Sequence, residues 1–216
     1  MKQDDSWYWK KLIKLSHLVS GLDLDAVIVH GQLRLNKLYT HFISGVRIDY
    51  GRTVWFKFSV PKHRFVLWQA VNNHLLTRDL LHSFHVNINS LSYPVCCQLN
   101  ESHSHLFFEC IFSEKLRLTI ATWLGDLIWA GKFADWLDWL AVCRRDWLGQ
   151  VVSATLVAAV YFLRFNRNKC VFDNCCFSVT KFNQLIRFSI KARALNFSSK
   201  KLSSRERQML DFISDL

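Results

Sequence analysis

Turn-forming residues are scarce, with seven glycines and two prolines in 216 residues. A many-stranded β architecture needs a turn signal about every 8–12 residues, so the shortage favours helices joined by modest loops. Every glycine is isolated (Gly21, Gly31, Gly45, Gly51, Gly125, Gly131 and Gly149), which excludes a glycine-rich loop for cradling phosphates. The opening "MKQDDSWYWKKLIKL" has no continuous apolar run of the kind secretion requires. No Ser-His-Asp or Cys-His arrangement has a spacing suited to nucleophilic catalysis. An enzyme acting on a small-molecule substrate is therefore not expected.

Acidic residues are also few, and they are unevenly placed. The whole chain carries a net charge of +11. Between Arg164 and Arg207 there are 11 Lys/Arg against Asp173 and Glu206, a balance of +9, while the remainder holds 17 basic and 15 acidic residues, a balance of +2. A field concentrated in this way suits an acidic partner, nucleic acid before a membrane surface; the alternative is a solvated basic face with no partner. Seven cysteines form an odd set. Without a secretion signal, they are expected to be packed thiols or metal ligands in a reducing compartment rather than bridges. The thiols of "CVFDNCC" (170–176) have no histidine nearby and are expected to be free.

Apolar residues are abundant. Half the chain is hydrophobic and 31 residues are aromatic, too much apolar surface for disorder. Tyr8, Leu12, Leu15 and Val19 keep a helical rhythm over 5–19, while "AVIVHGQLRL" (26–35) suggests a short hairpin broken at His30-Gly31. "LNKLYTHFI" reads as a helical turn or two, and "VWFKFSV" (54–60) stops at Pro61. Pro61 starts an amphipathic helix with Phe65, Trp68 and Val71 or Asn72 on one face, Leu67, Ala70 and Leu75 nearby, and Lys62, Arg64 and Asn73 toward solvent. Thr77 and Asp79 begin another helix, and Trp-rich helices follow Ser113. Residues 147–163 carry no charge, but Gly149, Gln150, Ser153 and Thr155 dilute their apolarity, so a buried core helix is expected rather than a membrane span. Further helices are expected over 179–195 and 203–216, the latter with a Ser203/Glu206 capping box. The fold class is mainly α with a few short β-strands, a helical domain with a small knuckle-like Cys/His loop.

That loop is "YPVCCQLNESHSHLFFEC" (93–110), where thiols and imidazoles cluster as zinc ligands do, although Cys96 and Cys97 are adjacent. In order along 31–175 stand "GQLRLNKLYTHF", "VWFKFSVPKHRFVLWQAV", "HLLTRDLL", this loop followed by "IFSEKL", and "FLRFNRNKCVF". The series covers about two-thirds of the chain and resembles the zinc-binding domain C-terminal to the reverse transcriptase of plant LINE-type non-LTR retrotransposons. The resemblance implies a strand within "VWFKFSV" (54–60) and three metal ligands, Cys96, His105 and Cys110. It also marks two departures: Tyr93 stands at the first cysteine position, and Arg117 at a usual tryptophan. A fourth ligand would come from Cys97, His103 or water. The site is thus a degenerate zinc knuckle, with packing of Cys96, Cys110, Phe107 and Phe108 as the competing reading. The implied division is an N-terminal helical segment (1–30), the zinc-binding-like domain (31–125) and a basic helical extension (126–216).

No adjacent aspartates follow an aromatic residue on a strand-like run, so nothing resembles a polymerase catalytic segment. The chain resembles a stand-alone, noncatalytic piece of such an element. The expected function is sequence-nonspecific binding of RNA or DNA backbones through Lys62, Arg64, Arg164, Arg167 and Lys169. The alternative is a structural module whose Trp-rich helices pack against a reverse transcriptase polypeptide, with no ligand of its own. Nucleus or cytoplasm is expected as the location, with "SSKKLSSRER" as a weak import signal.

Overall fold

A computed structural model describes residues 27–42, 50–125, 129, 131–144, 146–197 and, near the C-terminus, 204, 207, 208 and 211. The helix expected over 5–19 and the Ser203/Glu206 capping box lie outside the described residues, as does most of 203–216. The chain divides into two compact units, Met1–Ile48 and Asp49–Leu216.

In the first unit, β1 (Ile28–Val29) and β2 (Gln32–Leu33) form an antiparallel hairpin with Ile28 opposite Leu33. His30 (φ 52°) and Gly31 (φ 72°) are both left-handed, as a two-residue turn matching strand twist requires. Helix α1 (Leu35–Phe42) follows at once.

The second unit is helical. It contains α2 (Gly51–Val54), α3 (Pro61–Val71), α4 (Arg78–Ser83), a π-turn (His105–Glu109), α5 (Ile111–Leu124), α6 (Phe133–Cys143), α7 (Trp147–Phe172) and α8 (Val179–Phe197). Helix α7 is the axis, touching α3, α5, α6, α8 and the π-turn. By length and composition it could cross a membrane, yet 72% of its most apolar window is buried in protein. The charge-free run 147–163 therefore reflects contact with neighbours on all sides, as expected of a core helix. Helices α5 and α8 also pack together, so the elements before and after residue 125 share one core.

Asp146 caps α7, its carboxylate accepting from the Gly149 amide at 2.6 Å. A Cβ at Gly149 would lie 1.6 Å from the Cys143 carbonyl oxygen, so only glycine lets the α6 C-terminus approach this closely.

Three local expectations are corrected. "VWFKFSV" forms no strand: Val54 ends α2 and the rest is irregular up to Pro61. Its carbonyls are satisfied by side chains instead, those of Trp55 and Phe56 by Arg64 Nη1 (3.5 and 3.0 Å) and those of Lys57 and Phe58 by Arg193 (2.5 and 2.9 Å). Helix α3 buries Leu67 and Ala70, expected beside its apolar face, but its buried side is centred toward His63 and away from Phe65. His63, Leu67 and Ala70 are buried, while Phe65 is 49% exposed and stacks on half-buried Trp68. Third, Cys170 is bonded to Cys176 rather than free, because the turn after α7 brings the two thiols together.

The Trp-rich helices do not present an open aromatic face among the described residues. Trp136 is 1% exposed and meets Trp129, Phe133 and Phe108 edge to face, with ring centroids 4.7–5.9 Å apart. Trp123 is also buried, its indole donating to Asn183 on α8.

Candidate metal centre and basic surface

The knuckle begins as a narrow loop. Ser92 bridges Asn100, the Tyr93 amide donates to Leu99 O, and the Glu101 amide donates to Leu91 O, the last two at 2.8 Å. At its tip the Cys97 amide returns to Tyr93 O at 2.8 Å, and Cys97 takes φ 56°. This left-handed residue separates the two adjacent cysteines. Cys96 turns inward, and Cys97 is exposed with its thiol 3.5 Å from Pro94 O.

The second half supplies the other ligands. In an α-helix, residues four apart share a face; His105 and Cys110 are five apart. The chain solves this with a π-turn, in which the Cys110 amide donates to His105 O at 2.9 Å. Cys110 then caps α5, its thiol accepting from the Phe112 amide at 3.4 Å.

As a result, Cys96 Sγ lies 3.2 Å from His105 Nε2, and the donor atoms of Cys96, His105 and Cys110 all lie within 4.8 Å of one another. Tetrahedral zinc, with bonds of about 2.0–2.3 Å, places its donors about 3.3–3.8 Å apart, so a small contraction fits the set. The chemistry also fits. Burial, followed by the neighbouring Cys96, pushes the Cys110 thiol up to about 11 against the Phe112 amide, and burial lowers the His105 imidazole. Burial therefore keeps His105 in the neutral form that ligates metal, and leaves the Cys110 thiolate dependent on a cation beside it to compensate its charge.

Of the two residues considered for a fourth ligand, neither joins the cluster. Cys97 faces out, and His103 lies against Phe107 with centroids 6.4 Å apart. Tyr93 is fully buried, its ring edge-on to His105 at 5.5 Å. Its hydroxyl has no hydrogen-bond partner, and neither has His105 Nδ1. Burial first, and Cys110 next, raise the phenol pKa well above its ordinary value. A large neutral side chain thus stands beside a three-donor set.

The knuckle is fastened to α7 by a pair that the sequence did not reveal. Glu101 is fully buried, and Arg167 Nε and Nη2 grip its two oxygens at 2.5 and 2.9 Å. The Arg78 amide adds a third bond at 3.0 Å, so the start of α4 joins the same carboxylate. One residue earlier, buried Asn166 accepts from the Phe177 amide at 2.9 Å and fixes the turn into α8. Asn166 and Arg167 in "RFNRNK" form a double clamp, Arg167 holding the knuckle and Asn166 the α7–α8 turn.

This changes the reading of the proposed phosphate contacts. Arg167 is 4% exposed and committed to Glu101, which removes it from the surface set. Arg164 is partly buried, with a lowered pKa caused first by burial, and its Nη1 has no hydrogen-bond partner. Lys169 is ion-paired with Asp173. Arg64 is half-buried and occupied by the 55–56 carbonyls. Lys62 is exposed, its ammonium 5.0 Å from the centre of the Tyr161 ring.

Residues 35–116 match a family model described as zinc-binding in reverse transcriptase. The matched span contains Cys96, His105 and Cys110, so the converging donors and the family likeness coincide. No curated protein and no solved structure matches the chain.

Proposed function

We propose that this chain is a noncatalytic, retroelement-derived module whose knuckle holds one structural zinc ion and whose basic helices bind nucleic-acid backbones. The convergence of Cys96, His105 and Cys110 within the zinc-binding match is the observation that carries the reading. Two of the three donors are buried, and the set is linked to the core through neighbouring Glu101. That arrangement suits a closed site that organises the fold rather than one that admits a substrate. Zinc there would brace the start of α5 and, through it, the packing of α5 on α8.

The nucleic-acid part rests on charge. Helix α8 contains Lys181, Arg187, Lys191 and Arg193 and no acidic residue. Neutralising phosphates with such a helix gives sequence-blind binding that weakens linearly in log salt. The test is fluorescence anisotropy of a labelled oligouridylate titrated with the full chain from 50 to 300 mM salt, alongside metal analysis of the same preparation. Binding at low salt that falls steeply with added salt, together with about one zinc per chain, is expected. Absence of binding at 50 mM salt would end the nucleic-acid reading in favour of a structural module.

A further inference from the structure

We propose that single-stranded nucleic acid docks in the groove between α3, α7 and α8, with Phe188 as a base-stacking platform and Lys62 as a phosphate contact. This proposal rests on the nucleic-acid reading above and assigns it a place. The groove is open, has a volume of about 440 Å³, and has no carboxylate among its lining residues. Lys62 comes from α3, Phe162 from α7, and Phe188, Ala192, Arg193 and Asn196 from α8.

Its chemistry differs from that of an ordinary exposed helix face. Phe188 is 71% exposed, a large apolar cost unless something covers the ring. Phe188, Ala192 and Asn196 recur every four residues, so they form one open stripe about 12 Å long. Two cations, Lys62 and Arg193, line the same groove. Arg193 is held in position by the Lys57 and Phe58 carbonyls and lies within electrostatic reach of Arg64. His63 lines the base of the groove at 1% exposure, and neither ring nitrogen has a hydrogen-bond partner within the protein. An exposed ring in a groove that also holds positive charges suits unpaired strands, because every base offers a face to stack and every phosphate a charge. A duplex hides its base faces, and an acidic peptide has none.

The experiment is anisotropy with a labelled oligouridylate on the full chain, comparing Phe188→Ala, Lys62→Gln, Ala192→Glu and Lys115→Gln. Phe188→Ala is expected to weaken binding roughly 5- to 100-fold, and Lys62→Gln to reduce the salt slope by about 1. Ala192→Glu, which places a carboxylate in the groove, is expected to weaken binding as well. Lys115→Gln, at an exposed position on α5 that does not line the groove, should remain within about twofold of wild type. All four substitutions fall on exposed or partly exposed positions, and circular dichroism with thermal melts would confirm that each variant is folded. If wild type binds and the groove variants bind equally well, the groove assignment is wrong while the nucleic-acid reading stands. Competition by duplex RNA or polyglutamate as effective as that by single strand would also overturn the assignment. Failure of wild type to bind defeats both.

Discussion

Replacing Tyr93 with cysteine should convert the three-donor knuckle into a four-donor one, at a cost that metal binding reverses. Tyr93 is fully buried, and substitution by cysteine removes most of a ring packed against His105. Large aromatic truncations cost about 3–5 kcal/mol. Part of that is offset here, because the lost hydroxyl is buried without a partner and itself costs about 1–3 kcal/mol. The metal-free variant should therefore be less stable by about 2 kcal/mol. Structural zinc contributes about 10–16 kcal/mol over four ligands, on the order of 3 kcal/mol for each. A recruited fourth thiolate should thus tighten zinc binding about 100-fold. At saturating zinc, linkage returns about 2.7 kcal/mol for each hundredfold excess over Kd, enough to restore wild-type stability. The assay is competition against a chromophoric chelator, paired with urea melts with and without zinc. Cobalt substitution would add a direct reading, since four-coordinate thiolate-rich sites give intense visible bands. If Tyr93→Cys binds zinc no more tightly than wild type, position 93 does not face the metal and the argument fails.

Cys110→Ser should abolish zinc retention on gel filtration; equal zinc in variant and wild type would remove Cys110 from the site. Glu101→Gln should destabilise the fold by about 3–5 kcal/mol because it leaves Arg167 buried and unpaired, whereas Glu101→Leu with Arg167→Met should recover much of that loss in a double-mutant cycle. The His63 pKa is lowered to about 4, first by burial and then by Lys62. The unfolded chain therefore binds the extra proton between pH 6.5 and about 4, and stability should fall by about 3 kcal/mol as pH is lowered through that window. His63→Phe should flatten that part of the pH–stability curve, and an unchanged slope would show that His63 does not titrate this way. Gly149→Ala should lower Tm by 5 °C or more, since the added methyl meets the Cys143 carbonyl; an unchanged melt would mean that α6 and α7 move apart freely.

The Cys/His cluster was legible because its ligands are close in sequence and their types have few other uses. The choice among Cys97, His103 and water for a fourth ligand was not, because it turns on the left-handed backbone at Cys97 and on the packing of His103 against Phe107. Nor was the burial of His63 in place of Phe65 on α3. Phe65 and Trp68 look like its apolar face, but the neighbouring α7 presents Tyr161 and Phe162, which take the flat ring of His63 with centroids 4.4 and 5.7 Å away. Which stripe is buried depended on the partner's shape, and hydrophobicity did not encode that. The strand expected at 54–60 failed for a similar reason. Its β-prone residues find no partner strand among the described residues, and arginines from α3 and α8 take the carbonyls instead.

Local rules in the chain determined the helical class, the His30-Gly31 turn, the start of α3 at Pro61 and the uncharged axis that became α7, because each depends on periodicity or backbone preference within a few residues. Tertiary structure alone decided that Arg167 is a clamp rather than a phosphate contact. Its partner Glu101 lies 66 positions away, and nothing near either residue records the encounter. A buried charge is tolerated only where its counterion and hydrogen bonds are already in place, and only the folded chain brings them together.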